Sequence, residues 1–155
     1  MTEIEDLKKA CSFTGHRVLY KDFNREKLCE ELVKLINVGV DTFLVGMALG
    51  FDTECFKVLE ELREKNKIKI IACVPCPEQD LYFNKKQKKE YARMLSSADE
   101  VKVISEKYTP YCMMERNRYM VDNSEYLVVY IRRESGGTKR TLNYAVDKER
   151  IIIKV

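Results

Sequence analysis

Short apolar runs alternate with segments of helical periodicity along the whole chain, and this alternation restricts the possible folds more than any other feature of the sequence. Apolar runs typical of strands occupy residues 10–14, 42–45, 68–74, 101–104, 126–131 and 151–155. Between them, apolar residues recur at helical spacing within 28–36, 55–62, 91–98, 113–121 and 138–146. Such alternation of strand and helix is typical of an α/β fold with a parallel sheet.

Several predicted strands are apolar at successive positions, which indicates that helices cover both faces of the sheet. We therefore predict an α/β fold with a mostly parallel sheet of about six strands and helices on both faces. A length of 155 residues fits a single domain over residues 1–155 with a sizeable core.

Charge and hydropathy limit the classes of partner. The chain carries 28 basic and 25 acidic residues, and this near balance argues against a general nucleic-acid binder. We expect no nucleic-acid partner, but a local basic pocket for a small anion. No apolar run reaches the length of a membrane span, and the charged segment from Met1 to Ala10 lacks the apolar core of a signal peptide. These features predict a cytoplasmic protein with no membrane partner and reduced cysteines.

The residues that follow each strand are candidate site residues, because ligands of parallel α/β sheets bind beyond the carboxyl ends of the strands. After the first strand, Gly15 would let the backbone approach a ligand. Thr14 offers a hydroxyl, and Arg17 a guanidinium suited to phosphate. His16 is the only histidine of the chain. The alternative is an ordinary turn in which His16 and Arg17 face solvent.

A glycine-containing segment, residues 46–52, follows the second strand. Gly46 and Gly50, with Met47 between them, precede a predicted helix whose first amides can face an anion. The segment is neither G-x-G-x-x-G nor a P-loop. Asp52 either contacts the ligand or caps the helix.

Paired glycines precede the last predicted helix. Gly136 and Gly137 with the hydroxyl of Thr138 at a helix start predict a phosphate cradle. The alternative is a flexible turn that Thr138 caps.

The predicted helix around residues 113–121 carries polar side chains beside an apolar face. Asn117 lies on that face and needs a hydrogen-bond partner if it is buried. Arg116 borders the face, where its guanidinium is suited to a phosphate or a carboxylate. We expect Arg118 on the solvated side.

Few residues of the sequence support a metal site or a catalytic role. Cys73 and Cys76 form a C-x-x-C pair, but a zinc site would need further ligands, and thioredoxin-like chemistry would need the pair to open a helix. No paired-carboxylate spacing identifies Asp52, Glu54 or Glu115 as a catalytic acid. We therefore assign no catalytic residue and expect no metal and no cofactor.

Five segments, in this order, resemble the SLOG superfamily, specifically its YpsA-like branch: residues 13–17, 46–52, 75–79, 116–122 and 136–138. The resemblance extends from Ser12 to about Ala145 and implies a Rossmann-like domain that binds nucleotides or nucleotide-derived ligands. Pro75 and Gln79, which follow the third predicted strand, lie in one of these segments and belong to the expected site. The superfamily includes LOG-type enzymes, which cleave the N-glycosidic bond of nucleoside monophosphates. It also includes DNA-processing proteins and domains proposed to handle nucleotide signals, some linked to bacterial and phage conflict.

Residues 113–116 look like the M-x-E-R helix of LOG-type enzymes, so Arg116 matches their functional arginine. These enzymes carry P-G-G-x-G-T-x-x-E, whose glutamate is catalytic, whereas residues 135–143 lack the proline, the third glycine and the acid. The resemblance therefore implies a protein that binds an ADP-ribose-like molecule or a cyclic nucleotide signal, as a sensor or by sequestration. The alternatives are an N-glycosidic hydrolase that uses Glu115 or Glu54, and an interaction domain with a vestigial pocket.

Self-association is a further expectation from the resemblance, because LOG-type relatives dimerise. We expect a homodimer or higher homo-oligomer, to which the apolar face of Met113, Met120 and Val121 contributes. The alternative is that this face packs on its own sheet. If Arg116 recognises a phosphate, Arg116→Ala weakens binding without unfolding the protein.

Overall fold

The computed structural model describes residues 6–155, which form a six-stranded sheet with every neighbouring pair of strands parallel. The strands are β1 (Ala10–Gly15), β2 (Thr42–Val45), β3 (Lys69–Val74), β4 (Glu100–Val103), β5 (Tyr126–Tyr130) and β6 (Ile151–Lys154). The α-helices are α1 (Arg25–Asn37), α2 (Phe51–Arg63), α3 (Lys85–Ser97), α4 (Cys112–Asp122) and α5 (Gly137–Asp147). Within this described part, no helix has the length and apolar character needed to cross a membrane. The first half of the charged segment that argued against a signal peptide, residues 1–5, lies outside it.

Helices cover both faces of the sheet, which confirms the predicted fold class. Alternate residues of β3 point to opposite faces: Ile70 and Ala72 join the larger core with α1, α2 and α3, whereas Ile71 and Cys73 pack with Met120 of α4. A further cluster packs α4 and α5 on the second face. The apolar run of β3 is therefore continuous because both of its faces are buried.

The apolar face of α4 is used within the chain. Met120 and Val121 are 2% and 1% exposed, and they pack against the strands and α5. Met120 and Val121 therefore follow the alternative interpretation, in which this face packs on the sheet of its own chain. The face therefore gives no support for a dimer.

The strand order β4-β3-β2-β1-β5-β6 creates a crevice at the middle of the sheet. From β1 the chain proceeds outward through β2, β3 and β4, and it then returns to place β5 on the other side of β1. The connections that leave the carboxyl ends of β1 and β5 therefore lead to opposite faces of the sheet. Ligand sites of α/β proteins form at such a switch point.

Two helices that border this crevice begin at glycines. Gly50 and Gly136 are the N-cap residues of α2 and α5, with φ of 77° and 102°, and neither helix has a side-chain hydrogen bond at its cap. Asp52 and Thr138 lie inside the first turns, so neither side chain acts as the cap. The start of α5 is consequently left without a capping side chain.

We expect Gly50→Ala to destabilise the fold. A Cβ at residue 50 would lie 2.2 Å from the backbone oxygen of Arg17, in a left-handed conformation that alanine tolerates poorly. Because the clash involves backbone, no rotamer change relieves it, and we expect the free energy of unfolding to fall by about 2–4 kcal/mol in urea denaturation. Gly137→Ala is the matched control, since a Cβ there meets nothing within 4 Å among residues 6–155. Equal losses in the two variants would contradict this account.

Candidate functional site

A cavity of about 500 Å³, here called the basic pocket, lies at the carboxyl ends of β1 and β5. Its wall is built from the loop after β1, the middle of α4, the loop after β5 and the start of α5. Nine residues expected from the sequence line it: Thr14, Gly15, His16, Arg17, Asp52, Arg116, Asn117, Gly137 and Thr138. The structure thus brings together residues from four separate segments of the chain.

Three exposed arginines on this wall form no ion pair with any of residues 6–155: Arg17, Arg133 and Arg140. Arg132, by contrast, pairs with Asp22 at 2.8 Å. Arg140 stands beside the glycines of the predicted phosphate cradle in the sequence, whereas Arg133 was not among the expected site residues. The signal that could have found them is their position on either side of the paired glycines. The pocket is therefore rich in positive charge that the protein itself does not neutralise.

The start of α5 faces the same cavity. Gly137 and Thr138 line the pocket, where the first amides and the helix dipole favour an anion. Thr14 and Thr138 are buried, yet their hydroxyls make no hydrogen bond with any residue of the described chain. Both hydroxyls are available to a ligand.

His16 is buried at 3% exposure and does not face solvent. The N–H of Arg132 donates to His16 Nε2 at 2.8 Å, so the neutral ring carries its proton on Nδ1. Burial and the charges of Arg133 and Arg132 lower the pKa of His16, which keeps the ring neutral at pH 7. Nδ1 lies 3.2 Å from Arg133 Nη2. Both atoms are donors in this state, and an anion would accept from both.

Arg116 holds the floor of the basic pocket together. Its Nη1 donates to the carbonyl oxygen of Gly46 and, at 3.4 Å, to that of Cys73. Its Nε donates to Asn117 Oδ1 at 2.8 Å. A Cβ at Gly46 would lie 3.0 Å from Arg116 Cζ and from Asp52 Oδ2. Any other residue at this position would therefore require one of these two side chains to move. Much of the donor capacity of Arg116 is therefore used inside the protein.

Asp52 is a buried carboxyl in the same wall. Burial raises its pKa to about 6, against the opposing charge of Arg116 and a hydrogen bond from the N–H of Ala48 at 3.2 Å. Because its ordinary pKa is 3.8, burying the ionised group costs stability at pH 7, and this cost falls as the pH drops through 6. Glu115 is exposed and Glu54 lies beside Arg25 at 3.7 Å, so neither lines the pocket.

Gln79 lies behind the basic pocket rather than on its wall. Its Nε2 donates to the carbonyl oxygen of Gly46 at 3.0 Å, and its Oε1 accepts from the hydroxyl of Tyr91 at 2.8 Å. Gln79 therefore fixes the same carbonyl that Arg116 holds. We call Gly46, Asp52, Gln79 and Arg116 the Gly46 cluster.

The other expected residues outside the wall belong to the packing around it. Met47 is a core residue at 1% exposure, and Pro75 is buried with its carbonyl accepting the N–H of Ser105 at 3.0 Å. Gly136 is the cap of α5 and Gly50 packs on the backbone of the loop after β1. These residues position the pocket and do not line it.

Gly15 lines the pocket, but its lack of a side chain serves packing. A Cβ at this position would lie 2.3 Å from Cδ2 of Phe51, whose ring is fully buried. The glycine therefore leaves room for an aromatic ring of α2. This contact accounts for the glycine by packing, whereas the expectation from the sequence was that the glycine lets a ligand approach the backbone.

Comparisons with known proteins show sequence relatives. A model of the YspA SLOG family matches residues 21–151. The SPbeta prophage-derived protein YoqJ of Bacillus subtilis is 38% identical over 116 residues, which cover 66% of this chain and 68% of that protein. The UPF0398 protein YpsA of Bacillus subtilis is 21% identical over 129 residues, which cover 81% of this chain and 72% of that protein.

Solved structures share the fold. DNA processing protein A from Streptococcus pneumoniae aligns with a TM-score of 0.66 at 18% identity, over 96% of this chain and 51% of that one. DNA processing protein A from Helicobacter pylori aligns with a TM-score of 0.67 at 14% identity, over 96% of this chain and 65% of that one. This chain thus spans about half to two thirds of the two proteins.

The Helicobacter pylori protein is described as binding single-stranded DNA. The sequence-based expectation of no nucleic-acid partner is therefore wrong. The fold of this chain is thus shared by a protein that is described as binding single-stranded DNA.

The family is shown by two independent matches. The family model covers 131 residues, from 21 to 151, which is most of the chain. The relative YoqJ exceeds a third in identity over more than two thirds of its own length. Both agree with the resemblance read from the five sequence segments. The chain therefore belongs to the YspA SLOG family.

Proposed function

We propose that this protein binds a nucleotide-derived small molecule, as a sensor or by sequestration, and holds the phosphates of that molecule in the basic pocket. The observation that supports this most is the convergence of three arginines without ion pairs, His16 Nδ1 and the start of α5 on one cavity. Asp52 is the one acid among the described residues that line it. A cavity of about 500 Å³ is of the size that holds small molecules.

The number of hydrogen-bond donors favours a ligand with two phosphate groups over a ligand with one. Arg17 approaches from the loop after β1, whereas Arg133 and Arg140 approach from either side of the start of α5. A diphosphate can accept from groups on several walls at once, and hydrogen bonds between charged groups are the stronger ones. ADP-ribose-like molecules and cyclic nucleotide signals are the ligands that we propose.

Hydrolysis of the ligand is a second candidate function, and Asp52 is the observation that favours it. A carboxyl whose pKa is about 6 can act as a general acid near neutral pH. The test is incubation of the protein with ADP-ribose or AMP, followed by chromatography of the products. A binder returns the ligand intact. Steady release of free base that is lost in Asp52→Asn would establish the hydrolase instead.

Single-stranded nucleic acid is a third candidate, favoured by the shared fold of DNA processing protein A from Helicobacter pylori. In this case the basic pocket would hold one phosphate of a longer strand. Titration with an oligothymidylate of about eight nucleotides distinguishes the two ligands, because single-strand sites span several nucleotides. Binding of the oligonucleotide in preference to every free nucleotide would favour the strand.

We expect Arg17→Ala, Arg133→Ala and Arg140→Ala each to weaken the binding of ADP-ribose by about tenfold or more, because each removes a charge-assisted hydrogen bond to phosphate. Isothermal titration calorimetry measures the affinities. Arg118→Ala is the matched control, since it removes the same charge from an exposed residue that does not line the basic pocket. Unchanged affinity in all three pocket variants would move the site elsewhere.

We expect the affinity for ADP-ribose to rise as the pH falls through about 6. Protonation of Asp52 removes the negative charge from the pocket, while the diphosphate of the ligand stays ionised. His16 titrates in the same direction but from a lowered pKa, so the variant Asp52→Asn separates the two groups. Calorimetry at about pH 7.5 and about pH 5.5 should show a smaller pH effect in Asp52→Asn than in the parent. The same pH effect in both proteins would exclude Asp52 as its source.

We expect Arg116→Ala to destabilise the protein, in contrast to the expectation from sequence. The substitution leaves Asp52 and the carbonyl of Gly46 buried without the guanidinium that now faces them. Loss of the buried guanidinium leaves the charge of Asp52 without its main opposing charge, which we expect to cost about 3–5 kcal/mol in urea denaturation. Arg118→Ala, on the same helix but exposed, loses only the contact of its guanidinium with the Tyr144 ring and should change the free energy of unfolding by less than about 1 kcal/mol. Arg116→Ala is therefore unsuitable as a test of ligand binding.

A further inference from the structure

A second cavity, of about 460 Å³ and here called the aromatic cavity, adjoins the basic pocket. The two cavities share Arg17, Ala48 and Met113 as lining residues. The aromatic cavity lies beyond the ends of β2 and β3, and most of its wall comes from residues 76–83 together with Tyr108. A ligand bound in one cavity can therefore extend into the other.

The rim of the aromatic cavity exposes large apolar side chains. Tyr82 is 95% exposed, Tyr108 60% and Leu81 55%. Neither tyrosine ring stacks on another aromatic ring within residues 6–155. An exposed apolar cluster of this kind beside a cavity is typical of a binding site. Flat rings without a partner are suited to a planar aromatic group.

The charges of the two cavities differ in a way that orients a ligand. The aromatic cavity has a single arginine, Arg17, and this residue lies on the shared wall. Its one acid, Glu78, is exposed. The basic pocket adds Arg133 and Arg140. An anionic group is therefore drawn to the basic pocket and away from Glu78, which leaves the aromatic cavity for the uncharged part of the ligand.

We propose that the aromatic cavity binds the base of a nucleotide whose phosphates occupy the basic pocket. Tyr82 and Tyr108 supply the stacking surface, as aromatic side chains do for bases in single-strand binding proteins. The ribose lies over the shared wall of Arg17, Ala48 and Met113. This inference rests on the proposed function and deepens it: the ligand class is a base-bearing nucleotide rather than a sugar phosphate or an inorganic anion.

The experiment compares a probe with a base and a probe without one. Etheno-ADP, a fluorescent analogue of ADP, reports on the base, and inorganic pyrophosphate reports on the basic pocket alone. We expect Tyr82→Ala and Tyr108→Ala to weaken etheno-ADP binding by about five- to 100-fold, the range that loss of base stacking produces, and to leave pyrophosphate binding unchanged. Arg140→Ala should weaken the binding of both probes.

Two controls accompany the tyrosine variants. Tyr82→Phe keeps the ring and should retain the affinity for etheno-ADP. Tyr111→Ala removes a tyrosine that is 73% exposed and lines neither cavity, so it should bind both probes as the parent does. Quenching of the etheno-base on binding, lost in Tyr82→Ala, would support stacking directly.

The outcomes separate this inference from the function on which it rests. Parental affinity for etheno-ADP in both tyrosine variants, with a loss in Arg140→Ala, would place the base elsewhere and leave the proposed function intact. A parent protein that binds pyrophosphate but not etheno-ADP would overturn the base site. A parent that binds neither probe would overturn both proposals. An oligothymidylate that binds more tightly than etheno-ADP and depends on Tyr82 would make the occupant a nucleic-acid strand, against the small-molecule ligand.

Discussion

The carbonyl oxygen of Gly46 joins the elements at the carboxyl end of the sheet. Arg116 of α4 and Gln79 of the loop after β3 both donate to it, so the end of β2 is tied to two other segments. This arrangement buries the guanidinium of Arg116, which is unfavourable for a charged group, and Asp52 of α2 supplies the opposing charge. A side chain at residue 46 would push Arg116 or Asp52 from its present position. The floor of the basic pocket is thus a charged cluster whose members depend on one another.

The walls of the pocket follow from the position of β1 in the sheet. Because the chain leaves β1 and β5 toward opposite faces, the loop of Arg17 and the loop of Arg133 come together only in the folded protein. Arg17, Arg133 and Arg140 accumulate there without an ion pair to any of residues 6–155. A protein with a net charge of only +3 can in this way present a strongly basic site.

The comparisons show the family and the fold of this chain. Beyond these comparisons, the structure of this chain shows two adjoining cavities. The basic pocket favours phosphate, and the aromatic cavity with Tyr82 favours a planar uncharged group. Their order along one wall matches the proposed nucleotide, with its phosphates at one end and its base at the other.

The sequence by itself determined the strands, the helices and the parallel sheet, because periods of apolar residues are local patterns. It also located the loop of His16 and the glycines before α5, because ligands bind where parallel strands end. Only the tertiary structure decided which role each residue has. Gly15 makes room for Phe51, and Arg116 is committed to the Gly46 carbonyl. Burial, hydrogen-bond partners and the charge of Asp52 depend on residues distant in the chain, and no local pattern records those contacts.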